Sequence, residues 1–236
     1  ICGWNLIKKT AKKYKTKFIP IDSEHFSIMK LLENQKINDV KKIYITASGG
    51  PFLNTSITKL KNIKPSEAIK HPKWKMGKKI SIDSASLMNK ILEVIEAQKL
   101  FQVDLKKFEI IIHPESLIHA IIELKNGLHK FIYHETSMLI PLSNAIFDGN
   151  IDVKNFFKKE LISRKSIFFQ RLNFMQVNKK KFPIINLKSR LDEYSSTSII
   201  LNAVNEILVD QFLSKKIPFI SFYKYILKVL NDRNYK

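Results

Sequence analysis

Apolar and polar positions follow a helical period near the start of the chain and a strand pattern soon afterwards. Between residues 5 and 15, apolar side chains recur at helical spacing with lysines between them, which predicts a helix. Residues 17 to 21 and residues 43 to 46 are short apolar runs that predict strands. The second run leads into paired glycines and a proline, Gly49 to Pro51, so this strand ends in a loop.

The middle of the chain alternates strand patterns with helix patterns. Strands are predicted at residues 79 to 82, 108 to 112 and 130 to 133. Asp83 and Ser84 supply the chemistry of a helix N-cap, and the apolar spacing that follows predicts a helix reaching about Phe101. A shorter helix is predicted at residues 116 to 123.

In two further stretches the apolar residues follow neither a helical nor a strand period. Residues 53 to 79, which we name the flap, are polar and rich in lysine, and Pro65 and Pro72 would interrupt any long helix. Residues 148 to 183 predict a linker with local structure. Beyond this linker, apolar spacing from Ile199 to Phe212 and from Phe222 to Leu230 predicts helices.

These elements predict two folded parts. Alternating strands and helices indicate an α/β domain with a mixed sheet and the flap over residues 21 to 147. A small all-α C-terminal helical domain over residues 184 to 236 follows the linker. Residues 1 to 20 contain a helix-to-strand unit without a beginning.

Composition indicates a globular protein with a strongly basic surface. Hydrophobic residues make up 44% of the 236, enough for a real core, and no apolar run approaches the roughly 20 residues of a membrane helix. The formal charge of +20 leaves a basic nucleic-acid-binding module open. Only four of the 41 basic residues are arginines, whose forked side chains suit specific phosphate recognition, so a codon bias toward lysine is the simpler explanation. The single cysteine, Cys2, excludes an internal disulfide.

The first candidate for chemistry is the segment from Asp22 to His25, placed at the end of a predicted strand. In extended geometry the spacing of Asp22 and Glu24 points both carboxylates to one side. Two oxygen ligands on one face suit a divalent cation such as Mg²⁺ or Mn²⁺. Acidic pairs at strand ends also commonly face water, so this segment alone leaves both interpretations open.

The second candidate is the predicted helix start from Asp83 to Glu93. Asn89, Lys90 and Glu93 lie on one helix face and would present an amide, an ammonium and a carboxylate together. Ser84 and unpaired backbone N–H groups at a helix N-terminus are well suited to phosphate. An ordinary cap beside a surface ion pair explains the same residues.

A third candidate is the glycine-rich loop that begins at Ser48. Its glycines let backbone approach an anion closely, and the Ser48 hydroxyl can hydrogen-bond that anion. His71 and Trp74 in the flap are candidate ligand contacts, although isolated side chains of these types more often pack or face solvent. His113 and His119 lie in apolar stretches and are interpreted as structural.

Taken in order, these segments resemble the 1-deoxy-D-xylulose 5-phosphate reductoisomerase family over nearly the whole chain. The strongest similarity lies in four segments, at residues 20 to 25, 47 to 52, 71 to 77 and 79 to 93. Weaker similarity continues through residues 113 to 119 and 201 to 206. An ordered set of this kind is highly specific.

The resemblance implies a role for each motif. Asp22, Glu24 and Glu93 would hold a divalent metal, either Mn²⁺, Mg²⁺ or Co²⁺, which acts as a Lewis acid, with Lys90 beside them as a further catalytic residue. Gly77 would touch NADPH. The implied substrate-binding residues are Ser23, Glu24, Ser48, His71, Trp74, Met76, Ser84, Asn89, Lys90, Glu93 and Met138. Trp74 and Met76 would belong to a flap that closes over the substrate before hydride transfer.

The resemblance also implies an activity and an architecture. Family members rearrange 1-deoxy-D-xylulose 5-phosphate and reduce the product with NADPH to 2-C-methyl-D-erythritol 4-phosphate, in non-mevalonate isoprenoid biosynthesis. No glycine-rich βαβ unit is present, so we expect residues 1 to 20 to be the end of a truncated NADPH-binding domain and this fragment alone to be inactive. A remnant that binds metal or sugar phosphate without turnover is the alternative.

Further expectations concern assembly, compartment and departures from the family pattern. Full-length family members imply a homodimer, with no membrane or nucleic-acid partner. A bacterial cytoplasm is preferred to a plastid-type organelle as the compartment. Ile91 stands where the family usually has glycine, and residues 135 to 138 lack the usual proline-aspartate pair while retaining Met138. We expect Ile91 to retune the site rather than abolish it.

Overall fold

A computed structural model describes residues 3–74, 76–152 and 171–235. The described part contains one five-stranded mixed sheet in the order β4-β3-β1-β2-β5. The strands are β1 (Val40–Ala47), β2 (Phe108–Ile112), β3 (Ile118–Leu124), β4 (His129–Tyr133) and β5 (Met175–Gln176). The predicted strands over 43–46, 108–112 and 130–133 are thereby confirmed.

The central strand β1 is parallel to β2 and antiparallel to β3, which in turn is antiparallel to β4. Ile43 and Ile45 of β1 have no exposed surface, because the face of the sheet on which both lie packs into the buried hydrophobic cluster. β5 pairs with β2 in antiparallel orientation through only two residues. It lies within the predicted linker of residues 148 to 183, and residues 153–170 of that linker lie outside the described residues.

Eight α-helices lie in the described residues. Six precede β5, namely α1 (Trp4–Tyr14), α2 (Ser23–Leu32), α3 (Pro65–Ala68), α4 (Lys78–Ser86), α5 (Met88–Phe101) and α6 (Leu139–Phe147). Two follow it, α7 (Thr197–Leu213) and α8 (Phe222–Leu230). The predicted first helix and both C-terminal helices are confirmed, and the α/β domain followed by a helical part is the architecture observed.

Three predicted elements are wrong. Residues 17 to 21 form no strand, since Phe18 and Ile19 are 41% and 53% exposed and have no strand partner. Residues 79 to 82 belong to helix α4. Both polar and apolar side chains of this helix are buried, so its sequence does not alternate with the helical period. The segment 116 to 123 is largely strand β3, because its apolar run is buried on both faces of the sheet.

The predicted N-cap at Asp83 and Ser84 is also wrong. Both residues lie inside α4, and α5 begins only at Met88. Leu87 separates the two helices with a φ of 65°, a left-handed conformation that is uncommon for a branched side chain. The chain therefore turns sharply between Ser84 and Asn89, and this turn presents both side chains to one cavity.

One buried hydrophobic cluster connects the sheet with the C-terminal helices. It contains Ile43 of β1, Ile91 of α5, and Phe212 and Ile226 of α7 and α8. Within the residues that the structure describes, no helix combines the length and apolar character needed to cross a membrane.

Candidate metal and substrate site

A cavity of about 430 Å³ lies where the N-terminus of α2, the end of β1, the flap and the start of α5 meet. All of the residues predicted from the sequence to bind metal or substrate line this cavity. They are Asp22, Ser23, Glu24, Ser48, His71, Trp74, Met76, Ser84, Asn89, Lys90, Glu93 and Met138. The fold therefore brings together segments that are more than 100 residues apart in the sequence.

Three carboxylates form one cluster at the wall of this cavity, and we call Asp22, Glu24 and Glu93 the carboxylate triad. One oxygen from each residue lies within 4.8 Å of an oxygen of each of the others. The predicted strand geometry for the first two is wrong: Asp22 is the N-cap of α2, and Glu24 stands in its first turn. The Asp22 side chain accepts hydrogen bonds from the backbone N–H groups of Glu24 and His25, which fixes the start of the helix.

A hydrogen bond from His25 connects α2 and α5, the two helices at which the carboxylate triad lies. His25 of α2 is 2% exposed, and its Nε2 lies 2.9 Å from the backbone carbonyl oxygen of Glu93 in α5. Since a carbonyl oxygen only accepts, His25 donates this hydrogen bond. The contact fixes the distance between the helix that carries Asp22 and Glu24 and the helix that carries Glu93.

Lys90 lies between two of the carboxylates. Its Nζ is 2.6 Å from Oε1 of Glu24 and 2.9 Å from the Glu93 carboxylate. Burial alone would raise the pKa of Glu24, but the Lys90 ammonium holds that pKa well below its usual range. Burial, together with the negative charge of Glu24, raises the pKa of Glu93 well above its usual range. Burial and Glu24 likewise raise the pKa of Asp22.

These charges leave the triad short of positive charge. One ammonium faces three carboxylates. Keeping both buried carboxylates, Glu24 and Glu93, ionised costs free energy of desolvation unless another cation is present. Asn89 adds a neutral contact, because its amide donates a short hydrogen bond to Glu93. An oxygen-rich cluster with unbalanced negative charge fits a hard divalent ion.

The other end of the cavity carries neutral hydrogen-bonding groups. Nδ1 of His71 accepts hydrogen bonds from the backbone N–H groups of Lys73 and Trp74, so the proton of a neutral ring is on Nε2. That Nε2 lies 3.0 Å from Oγ of Ser48, which also accepts from the N–H of Gly50. With both acceptor positions used, the Ser48 hydroxyl proton is available to the cavity.

The predicted open helix N-terminus beside Ser84 is not observed. At the start of α5, the N–H of Met88 donates to Oγ of Ser86, and the N–H of Lys90 donates to the carbonyl of Leu87. The tight turn at Leu87 satisfies these groups internally. Side chains, rather than a free helix terminus, therefore supply most of the polar groups at this end.

Gly50 is required where the loop after β1 approaches α4. Its φ is +63°, and a Cβ at this position would lie 3.0 Å from the Cα of Ala85 and from the carbonyl oxygen of Ser84. The absent side chain lets the two segments approach so that Ser48 and Ser84 face the same cavity.

The flap and the segment before α6 cover part of the cavity. Trp74 and Met76 come from the flap, and Met138 is the residue before α6. The ring of Trp74 contacts His119 edge-on, with 6.2 Å between ring centroids. Apolar side chains on this side can exclude water from the polar groups opposite them.

Sequence reasoning missed five residues of the cavity wall. They are Ile21, Thr46, Ile80, Ser116 and His119. His119 was interpreted as structural, yet its Nδ1 lies 3.8 Å from Oε1 of Glu24. His119 belongs to β3 and was predicted in a helix, so its position opposite Glu24 had no signal in the sequence pattern. His113 fits its structural interpretation, since it contacts the backbone of Asn173 and Leu117.

Two other predicted positions lie outside the cavity. Gly77 is the residue before α4, and a Cβ there would meet nothing within 4 Å among the described residues, so it faces open space. Ile91 is fully buried in the hydrophobic cluster and does not line the cavity.

Comparisons with known proteins show the family of this chain. A family model described as the 1-deoxy-D-xylulose 5-phosphate reductoisomerase C-terminal domain matches residues 18–101, and a second, the DXP reductoisomerase C-terminal domain, matches residues 135–236. The 1-deoxy-D-xylulose 5-phosphate reductoisomerase of Pelagibacter ubique is 49% identical over 98% of this chain. The chain belongs to the 1-deoxy-D-xylulose 5-phosphate reductoisomerase family.

Other reductoisomerases show the same similarity. The enzyme of a Wolbachia strain from Drosophila simulans is 42% identical over 96% of this chain. The chain spans about 58% of the Pelagibacter relative and 57% of the Wolbachia relative.

Solved reductoisomerase structures share the fold. One, in complex with NADPH, fosmidomycin and magnesium, is 32% identical with a TM-score of 0.84, and the match covers 99% of this chain and 59% of that one. The Zymomonas mobilis enzyme in complex with NADPH is 33% identical, also with a TM-score of 0.84, over 97% of this chain and 58% of that one.

Proposed function

We propose that this chain is the metal- and substrate-binding part of a 1-deoxy-D-xylulose 5-phosphate reductoisomerase. The proposed reaction is the metal-assisted rearrangement of 1-deoxy-D-xylulose 5-phosphate and its reduction by NADPH to 2-C-methyl-D-erythritol 4-phosphate. The observation that carries the proposal is the single cavity that combines the carboxylate triad with the Ser48 and His71 end. The activity itself belongs to the complete enzyme.

The carboxylate triad is the proposed metal site. Three carboxylates against one ammonium leave an excess of two negative charges, which a divalent ion such as Mn²⁺, Mg²⁺ or Co²⁺ would balance. Bound there, the ion would supply Lewis-acid polarisation of the carbonyl and hydroxyl oxygens of the substrate. Lys90, which is paired with two of the carboxylates, adds a fixed positive charge to the wall of the same cavity.

The opposite end of the cavity is the proposed phosphate site. The free hydroxyl proton of Ser48, the hydroxyl of Ser84 and the second N–H of the Asn89 amide are hydrogen-bond donors suited to phosphate oxygens. His71 orients the Ser48 hydroxyl through its Nε2–H. Ser23, between the two triad members of α2, is placed to contact the sugar backbone.

Trp74, Met76 and Met138 form the proposed water-excluding cover. Their side chains line the cavity from segments that are not part of the sheet. Exclusion of water would strengthen the polar contacts inside and would protect the aldehyde product of the rearrangement until its reduction.

NADPH would approach at the start of α4, where Gly77 faces open space. Solved relatives in complex with NADPH support this cofactor. We also propose that the complete enzyme is a homodimer, as the family resemblance implies. The proposed compartment is the bacterial cytoplasm, since the curated relatives are bacterial proteins. The positive net charge then reflects lysine content rather than nucleic-acid binding.

Calorimetry tests the proposal on this chain without requiring turnover. The titrant is 1-deoxy-D-xylulose 5-phosphate, added with and without Mn²⁺ to the wild type, to Glu93→Gln and to Glu33→Gln. Glu33 is the matched control because its carboxylate forms a surface ion pair with Lys30 and does not line the cavity. We expect binding that needs Mn²⁺ and that disappears in Glu93→Gln alone. A folded wild type that binds no sugar phosphate would favour a remnant without activity.

A further inference from the structure

His119 lines the cavity, yet no hydrogen bond from the described residues fixes its ring. Its Nε2 is buried and has no hydrogen-bond partner among the described residues. Its Nδ1 lies 3.8 Å from Oε1 of Glu24, which is too far for a hydrogen bond. The side chain is only 2% exposed, so packing rather than solvent must determine its orientation.

The ring of His134 provides that packing. The two imidazoles stack with 4.1 Å between centroids and 14° between planes. The ring of Trp74 also contacts His119, in an edge-on arrangement. Offset stacking of this kind constrains the plane of a ring that has no hydrogen bonds of its own.

His134 is itself held on several sides. Its Nδ1 lies 2.8 Å from the carbonyl oxygen of Glu135 and donates to it, and its backbone N–H donates to the carbonyl of Leu117. Phe26 of α2 contacts its ring edge-on at 6.2 Å. His134 is 8% exposed and does not line the cavity, so its direct contact is with His119 and not with a ligand.

We propose that His134 is a positioning residue. By stacking on His119, it fixes the plane of the His119 ring at the cavity wall beside Glu24. Its flat ring, rather than its ability to hydrogen-bond, is the property that matters. The effect on ligand affinity rests on the proposed function, whereas the effect on the ring of His119 does not.

Two substitutions separate a flat ring from a filled volume. His134→Leu fills the space without a plane, and His134→Phe supplies a plane; both lose the hydrogen bond to Glu135 equally. His129→Ala is the matched control, because His129 is exposed at the start of β4, the strand that ends just before His134. Thermal unfolding first establishes that each variant folds, and His134→Met replaces the leucine variant if that one does not.

Two measurements are made on each variant. Imidazole signals of His119 are recorded by NMR on the metal-free protein, and the affinity for 1-deoxy-D-xylulose 5-phosphate with Mn²⁺ is measured by calorimetry. We expect His134→Leu to shift and broaden the His119 signals and to weaken binding by about threefold to tenfold. His134→Phe should keep a single sharp set of signals and an affinity within about twofold of the wild type.

Unchanged His119 signals in His134→Leu would overturn the proposal. Equal losses in the leucine and phenylalanine variants would overturn it as well, because the hydrogen bond and not the plane would then be responsible. If the wild type binds no sugar phosphate, the proposed function fails, while the NMR comparison still decides whether His134 positions His119.

Discussion

The Nζ atom of Lys90 lies 2.6 Å from Oε1 of Glu24, although the two residues are 66 positions apart and belong to different helices. The same ammonium contacts Glu93, one turn along its own helix. Burial alone would lower the pKa of Lys90, but these two carboxylates raise it, so it stays charged. Lys90 is therefore the internal counter-ion of the carboxylate triad.

Replacing Lys90 should make the protein depend on metal for its stability. In Lys90→Met the buried carboxylates lose their partner, and we expect a loss of about 3 kcal/mol in the free energy of unfolding. Mn²⁺ should raise the free energy of unfolding of Lys90→Met by more than it raises that of the wild type, because the ion no longer competes with an ammonium. Thermal unfolding with and without Mn²⁺ measures both effects.

Lys30→Met is the control for that experiment. Lys30 pairs with Glu33 at the same three-residue spacing, but Glu33 is half exposed. This substitution should cost less than about 1 kcal/mol and should not respond to Mn²⁺. Equal losses in the two variants would contradict the counter-ion role of Lys90.

His71 should make stability fall in mildly acidic solution. Burial, with a smaller effect from the Lys90 charge, lowers the pKa of His71 to about 4. Because the folded pKa lies below the unfolded value, the unfolded state binds more protons between about pH 6.5 and pH 4. The contribution of His71 is thus complete above about pH 6.5 and is lost as the pH falls toward 4.

Urea unfolding of the wild type and of His71→Gln across this range measures the effect. The advantage of the wild type should shrink by roughly 1–2 kcal/mol on acidification, a figure reduced because the side chain is partly exposed. Parallel pH profiles for the two proteins would show that His71 has an ordinary pKa.

A buried hydrogen bond connects α4 to the C-terminal helices. The Asn205 amide of α7 donates to Oδ1 of Asp83 at 2.8 Å, and Asp83 is 1% exposed. Asn205→Leu leaves this oxygen without its donor and should cost about 2–3 kcal/mol in urea unfolding. Asn202→Leu, at a half-buried position of the same helix, should change stability by less than about 0.5 kcal/mol.

The approach of Gly50 to α4 predicts a steric effect on the phosphate end. Gly50→Ala adds a methyl group against Ala85 and Ser84, so we expect a loss of about 2–3 kcal/mol together with weaker sugar phosphate binding. Gly127→Ala has the same left-handed strain but open space around it, and should cost only about 1 kcal/mol. Similar losses in both variants would mean that strain alone matters.

The sequence predicts the members of the site better than their local geometry. Asp22, Glu24 and Glu93 lie together as the ordered motifs imply, but the first two stand at a helix start instead of a strand end. The N-cap preference of aspartate was present in the sequence, yet the apolar run before it favoured a strand. An apolar run without a pairing partner does not make a strand.

Other features depend on tertiary contacts that no local pattern contains. The left-handed Leu87 that separates α4 from α5 is not a residue type associated with turns. The segment around His119 has an apolar run that suits either a buried helix or a buried strand, and its pairing with β1 decides the outcome. This ambiguity hid both the position of His119 in the cavity wall and its stacking on His134.

A titration of Mn²⁺ followed by electron paramagnetic resonance tests the central claim most directly, with Asp22→Asn, Glu24→Gln and Glu93→Gln compared with the wild type. Circular dichroism establishes beforehand that each variant is folded. The carboxylate triad predicts one bound Mn²⁺ per wild-type chain and an affinity at least about tenfold weaker in every variant. Wild-type affinity in all three folded variants would contradict a metal site at Asp22, Glu24 and Glu93.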